Sequence, residues 1–367
     1  MHLRGRRQVT TAGLAVFAVA LAACSSSSSS TTTSTSTSSS SATASPSTSL
    51  SGTLNGSGST FQTVFQESAI QAFKSVDPGI TVNYGGGGSG KGRTDLASGV
   101  VNFAGSDSPI PAAELSSFSG KTVLYFPVVI GPITLSYNLS GVSNLKLSPT
   151  VIAGIFQGQI TTWNNSAITS INPGVSLPST PITLAVRSDS SGTTANFTLF
   201  LKDAVPSVWK LGSSSTIKWP SSARAGAGNS GVAQIVKTTA GAIGYVDYAD
   251  AKASGLSFAS VENSSGDYIA PSPSSASAAA AGVTVASNLT FAAAWAPGAS
   301  AYPITYQSWD LVYATQPTAN DAALLKAWIG YLISPTGGQA LLSSLGYAPL
   351  PSSLDSMAQA QLSQITS

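Results

Sequence analysis

From residue 52 onward one local pattern recurs four times: an alternating apolar stretch, a loop of small polar residues, and a segment with helical spacing. Leu54 lies in a strand-like stretch ending at Gly56-Ser57-Gly58-Ser59. From Thr60, Phe61, Val64, Phe65, Ala69, Ala72 and Phe73 recur on one helical face. Ile80, Val82 and Tyr84 alternate as a second strand, after which GGGGSG (residues 85–90) opens a helix near Ser89. Val101 and Phe103 mark a third strand that ends at Gly105-Ser106-Asp107-Ser108-Pro109. Ile182, Leu184 and Val186 mark a fourth, followed by the loop Arg187 to Ser191 and a helix carrying Phe197, Phe200 and Leu201. This alternation predicts an α/β fold. In an open α/β sheet, ligands bind beyond the carboxyl ends of the strands, where the following helices present their positive N-termini. Thr60, Ser89 and Asp107 are therefore expected in one crevice, with the Arg187 loop as a matching lip from a second domain.

Upstream of residue 52 the pattern is absent. Residues 1–24, MHLRGRRQVTTAGLAVFAVALAAC, join a basic start (Arg4, Arg6, Arg7) to an apolar run from Ala12 to Ala23, and they read as a secretory signal. The run is too short to span a bilayer, which needs about 20 apolar residues. Leu21-Ala22-Ala23-Cys24 resembles the lipobox of bacterial lipoproteins, in which the cysteine is lipidated and becomes the mature N-terminus; the alternative is a buried thiol. Cys24 is the single cysteine, so no disulfide forms within the chain. Residues 25–51 are almost entirely serine, threonine and alanine, cannot offset their ordering entropy, and are expected to form a disordered tether. Residues 52–367 remain, a length that suggests two domains.

Only 8% of the chain is charged. The leader holds three of the 16 Lys and Arg and none of the 14 Asp and Glu, so the mature chain carries 13 positive against 14 negative residues, a formal charge of −1. That balance argues against a nucleic-acid or anionic-membrane binder. The one histidine, His2, leaves with the signal.

Three motifs admit chemistry. GGGGSGKG (85–92) approaches a nucleotide phosphate loop, but Gly92 stands where a magnesium-ligating hydroxyl is required. Its backbone N–H groups could still face an oxyanion; alternatively it is a flexible turn with Lys91 in solvent. Ser190-Ser191-Gly192-Thr193 could hold a nucleophile, yet the mature chain has no histidine to act as base and no Ser-x-x-Lys spacing here. Carboxylates are scattered singly rather than at metal-ligand spacing, which weakens a metal-dependent phosphatase. Recognition of an oxyanion remains: Arg187 as a two-pronged donor braced by Asp189, hydroxyls from Ser89, Ser191 and Thr193, and N–H groups from Thr60, Phe61, Gly90 and Gly192 at helix starts. Asp107, an acceptor, is out of place among these donors unless the anion carries a proton. Hydrogen phosphate does and sulfate does not. The alternative for Asp107 is a helix cap before Pro109.

The stretches LNGSGSTF (54–61), VNYGGGGSG (82–90), NFAGSDSPI (102–110), RSDSSGT (187–193), KWP (218–220), GAIGYVDYA (241–249) and LGYAPLP (345–351), in this order, resemble PstS-type phosphate-binding proteins, the extracytoplasmic receptors of phosphate ABC transporters. The resemblance covers most of 52–367. It implies a type II periplasmic-binding-protein-like α/β fold of two lobes with a ligand cleft between them and a hinge of two crossings, here Phe126 to Gly131 and Tyr302 to Thr305. One lobe would comprise 52–128 with 304–367, the other 129–303. Thr60, Phe61, Ser89, Asp107, Arg187, Ser191, Gly192 and Thr193 would touch inorganic phosphate, with Asp189 and Gly90 in support. No catalysis, cofactor or metal is implied. The expected partners are membrane permease subunits, reached by a monomer lipid-anchored through Cys24 outside the cell membrane. Two positions depart from the family: Gln62 where relatives often have proline, and Lys91 as an extra cation. A secreted phosphatase, a receptor for another oxyanion and a passive surface protein are the alternatives.

Overall fold

A computed structural model describes residues 50–367. The expected signal, the lipidated Cys24 and all but the last two residues of the expected tether lie outside the described residues. The main sheet contains β1 (Gly52–Gly58), β2 (Ile80–Gly86), β3 (Phe103–Ser106), β4 (Val123–Tyr137), β5 (Thr183–Arg187), β6 (Arg224–Gly226), β7 (Ala242–Asp247), β8 (Ser257–Phe258) and β9 (Thr305–Tyr313). Their order is β2-β1-β3-β9-β4-β7-β5-β6, with β8 as a further partner of β4. At one end β1 pairs in parallel with β2 and β3, and at the other β5 pairs in parallel with β6 and β7. The antiparallel strands β9 and β4 join the two ends. This is the two-lobed α/β arrangement the sequence led us to expect, with two half-sheets meeting along one strand.

That strand, β4, is 15 residues long and buried at every position after the first. Such a continuous apolar run fits a strand covered on both faces. Val123 to Pro132 face β9, whereas Ile133 to Tyr137 face β7. The β9 register slips at Ser308: Ser308 lies opposite Val129 but Trp309 lies opposite Pro127, leaving Val128 without a partner. Pro127 has no N–H to give the ladder, and an extra residue at that point absorbs the mismatch. The free Val128 carbonyl accepts from Gln339 Nε2 at 2.9 Å.

One apolar core runs through both half-sheets. Phe103 lies flat over Gly56, where any Cβ would strike its ring, and its other neighbours include Tyr84 and Trp328. Across the molecule Phe197 stacks on Tyr245 at 4.7 Å and packs edge-on against Phe156. Four helices frame the crevice: α1 (Thr63–Phe73), α2 (Ser89–Ala97), α3 (Gly192–Ala204) and α4 (Gly228–Thr238). Helix α1 starts at Thr63 rather than Thr60, because Ser59 Oγ takes the Phe61 N–H at 3.1 Å and holds Thr60 and Phe61 in a turn. The third strand starts at Phe103 rather than Val101, since the Asn102 side chain takes the Asn55 N–H at 2.8 Å in place of a ladder bond. Among the described residues no helix is long and apolar enough to cross a membrane.

Candidate functional site

Asp107 comes directly after β3 and is 1% exposed. It does not cap a helix: the next element is a 3₁₀ turn, Ala112–Phe118, whose cap position is Pro111. Its carboxylate instead takes hydroxyls from three elements. Ser59, after β1, donates to Oδ1, and Ser308, on β9, donates to the same oxygen at 2.6 Å. Ser89, the first residue of α2, donates to Oδ2 at 3.2 Å and accepts the Asp107 N–H at 3.1 Å. Burial raises the Asp107 carboxyl above the ordinary carboxylate range, while the hydroxyls of Ser308, Ser59 and Ser89 and the charge of Arg187 oppose the rise. The backbone is fixed too, its carbonyl accepting from Asn196 Nδ2 at 2.6 Å.

Facing it is Arg187, the last residue of β5 and 5% exposed. Its Nε and Nη2 donate to the two oxygens of Asp189, the fork-to-fork pairing that suits guanidinium and carboxylate. Nη1 donates to Thr193 Oγ1 at 3.2 Å. Asp189 also accepts the Gly228 N–H, at 3.0 Å, from the start of α4. Burial acts to raise the Asp189 carboxyl, but the hydrogen bonds and charge of Arg187 prevail and hold it below its usual value. Tyr245 Oη accepts the Arg187 N–H at 3.0 Å, and burial pushes that phenol up to about 12.

The hydroxyls of Thr193 and Thr60 share one property: their acceptor capacity is filled and their protons are free. Thr193 Oγ1 accepts from Arg187 Nη1 at 3.2 Å and from Asn229 Nδ2 at 3.3 Å. Thr60 Oγ1 accepts from Asn229 N at 3.3 Å and Nδ2 at 3.2 Å. Each threonine hydroxyl has two lone pairs, both now used, so each can act only as a donor. Ser191 caps α3, accepting the Thr194 N–H at 3.1 Å. The N–H groups of Thr60, Ser89, Gly192 and Thr193 have no acceptor among the described residues. Three of these, those of Ser89, Gly192 and Thr193, open helices, where the first-turn N–H groups carry partial positive charge.

The loops are in direct contact. A Cβ on Gly192 would lie 2.5 Å from Asp107 Cβ and Oδ2, and one on Gly88, whose φ is +92°, would run into the Asp189 carboxylate. Gly90 gives its N–H to the Ser190 carbonyl at 3.0 Å. Thus Thr60, Ser89, Asp107, Arg187, Asp189, Ser191, Gly192 and Thr193 meet in one place. Phe61 borders it differently: its ring packs against Tyr306 at 4.0 Å and Tyr347 at 5.1 Å, and Ser59 already holds its N–H. Lys91 is paired with Asp95 at 2.5 Å one turn along α2, and its side chain is 53% exposed. No side-chain base accompanies Ser191, and among the described residues no group of three His, Cys, Asp or Glu could hold a metal.

Sequence reasoning missed Asn229, Ser59 and Ser308. Asn229 carried a signal, because AGAGNSG (225–231) repeats the strand, glycine turn and helix-start pattern of the other loops. Ser308 carried none, being one polar residue within a strand.

A family model of the PBP superfamily domain matches residues 28–336. Phosphate-binding protein PstS 3 of Mycobacterium leprae (strain TN) is 35% identical over 316 residues, covering 83% of this chain and 84% of that protein. Phosphate-binding protein PstS of Xylella fastidiosa (strain 9a5c) is 35% identical over 283 residues, covering 75% and 76%. Among solved structures, a high-affinity periplasmic phosphate-binding protein (PfluDING) bound with phosphate superposes with a TM-score of 0.70 at 24% identity, covering 84% of this chain and 94% of that one.

Proposed function

The chain belongs to the PstS family of phosphate-binding proteins, and on that premise we propose that it binds inorganic phosphate between its lobes and delivers it, without chemistry, to the permease of an ABC transporter. The observation that carries this reading is the division of labour in the crevice. The hydroxyls of Thr60 and Thr193 have only protons left to offer, four N–H groups stand open beside them, and Asp107 alone is an acceptor. An anion that also carries one proton satisfies that set, and hydrogen phosphate is such an anion. A fully ionised oxyanion leaves Asp107 facing a second negative charge, and an unpaired buried group of this kind can reject the wrong ligand by roughly 10⁴ to 10⁵.

In this reading Thr60, Ser89, Asp107, Arg187, Ser191, Gly192 and Thr193 touch the anion, Phe61 lies against it at the turn before α1, and Asp189 and Gly90 brace the loops. One lobe comprises 52–128 with 304–367 and the other 129–303. The change of partner within β4, from β9 to β7 between Pro132 and Ile133, supports a crossing in that strand. The signal-like leader and the lipobox-like Leu21 to Cys24 support export and anchoring at the outer face of the cell membrane, where a monomer on its tether would meet the permease.

The test is calorimetric titration of the protein, freed of bound anion by unfolding and refolding, with phosphate and then sulfate at neutral pH. Tight one-to-one binding of phosphate with no heat from sulfate is expected. Equal binding of the two would overturn the role of Asp107, and no heat from either would overturn the function.

A further inference from the structure

Behind Asp107, away from the donor-rich face, runs a chain of buried amides with a fixed direction. Asp310, two residues beyond Ser308 on β9 and fully buried, accepts from Gln66 Nε2 at 3.1 and 3.0 Å. Gln66 Nε2 also donates to Gln62 Oε1 at 2.9 Å, using both its protons. Gln62 Nε2 donates to the Trp309 carbonyl at 2.9 Å and to Ser308 Oγ at 2.6 Å, again using both. A carbonyl can only accept, so the Trp309 contact fixes which end of the Gln62 amide is nitrogen, and the Gln62 Oε1 that this leaves facing Gln66 fixes the Gln66 amide in turn. Since Ser308 Oγ receives a proton from Gln62, its own proton must go elsewhere, and Asp107 Oδ1 lies 2.6 Å away.

We propose that Gln62 is a positioning residue for anion selectivity: it commits the Ser308 hydroxyl proton to Asp107 Oδ1, filling that oxygen and leaving Oδ2 as the acceptor that meets the ligand proton. A carboxylate oxygen offers two lone-pair sites. Oδ1 receives Ser59 and Ser308 and is full, whereas Oδ2 receives only Ser89, at 3.2 Å, and lies against Gly192. The two committed donors also oppose the rise that burial imposes on the Asp107 carboxyl. The bulge at Val128 lies opposite the step from Ser308 to Trp309, and the one-turn spacing of Gln62 and Gln66 matches the two-residue spacing of Ser308 and Asp310. The buried amide at 62 thus has a task.

The other charged or titratable groups around Asp107 are few. Arg187 acts on it by charge, and the Arg93–Glu114 pair holds Ser106 and Ser108 on either side. Burial raises Tyr84, Tyr306 and Tyr347 and keeps all three neutral. Asp310 lies at the far end of the amide chain.

This inference rests on the phosphate reading, so the experiment contains a control for it. Phosphate and sulfate are titrated calorimetrically from about pH 5 to 8 into wild type, Asp107→Asn, Ser308→Ala and Gln62→Met, with thermal melts to verify folding. Gln62→Met removes the donor and frees the Trp309 carbonyl as a rival acceptor for Ser308. With one donor lost, Asp107 holds its proton to higher pH, becomes a donor and ceases to repel sulfate. Ser308→Ala is expected to raise the sulfate-to-phosphate affinity ratio about tenfold, the scale of one hydrogen bond to a charged group, with the gain growing toward low pH. Gln62→Met is expected to shift it in the same direction by less. If both keep the wild-type ratio and pH profile, or lose affinity for the two anions equally, while Asp107→Asn changes the ratio, the positioning role is overturned and the phosphate reading stands. Should Asp107→Asn leave the ratio unchanged, or wild type bind no phosphate, the reading fails and the inference with it.

Discussion

Asp107 is an acceptor in a crevice otherwise made of donors, and its substitution is the most direct probe of the site. Asp107→Asn keeps the shape, removes the charge and adds two protons. It is expected to move the sulfate-to-phosphate ratio toward sulfate by up to about 10⁴ at neutral pH, the scale on which an unpaired polar group excludes a ligand; competition binding measures it. Asp310 gives a second, independent prediction. Burial pushes its carboxyl up to about 7, with the amides of Gln66 and Gln62 acting the other way. Between about pH 4, the ordinary value for Asp, and pH 7 the folded state therefore holds a proton that the unfolded state has released. Stability contributed by that proton falls as pH rises through this window, by up to about 4 kcal/mol at roughly 1.4 kcal/mol per pH unit. Asp310→Asn should flatten the decline, making the variant melt above wild type near pH 8 and no higher near pH 4. Single-residue legibility was uneven. Thr60, Ser89, Arg187 and Thr193 sit in glycine-rich loops after strands, a signal that sequence carries. Ser308 and Asn229 act through the direction of a hydroxyl or amide proton, which partners far along the chain decide.

Helix α3 shows how an element, rather than a residue, makes the donor set. Its first two N–H groups are open, Ser191 caps the third, and Gly192 brings the helix against Asp107. A methyl at 192 would lie 2.5 Å from the Asp107 Cβ and Oδ2, so the helix start must withdraw. Gly192→Ala is expected to lower phosphate affinity by roughly 10² to 10⁴, corresponding to two hydrogen bonds to a charged group at about 1.5 to 3 kcal/mol each. Its thermal midpoint should also fall, because the added methyl overpacks a buried contact at a cost of about 1 to 3 kcal/mol that the better helix propensity of alanine offsets only in part. Titration together with a melt separates the two effects. The strand–loop–helix order of these elements was legible from apolar spacing. Their first residues were not: α1 begins after a turn that Ser59 ties, and no α-helix comes after β3, because the three hydroxyls around Asp107 hold the loop instead.

At the scale of the whole molecule the near-neutral mature charge, 13 positive against 14 negative residues, leaves little long-range field. Binding rests on groups within contact distance, which salt screens weakly. Phosphate affinity should change by less than about tenfold between low and physiological ionic strength; a steeper fall, measured by titration at several salt concentrations, would contradict it. The α/β class was legible from alternation alone. Strand β4 was not, because Pro127 and Pro132 fall inside it and a proline argues against a central strand. The unpaired Val128 beside Pro127 and the change of partner at Pro132 are what let both prolines stay.

Because β4 runs from one half-sheet to the other without a break, a rotation of one half-sheet against the other would not be the swing of a door on a loose loop. The strand works as a torsion bar, clamped by β9 along one half and by β7 along the other, so any rotation winds or unwinds it over a few residues around Pro132. A strand that never touches the ligand would then set the resistance to that rotation.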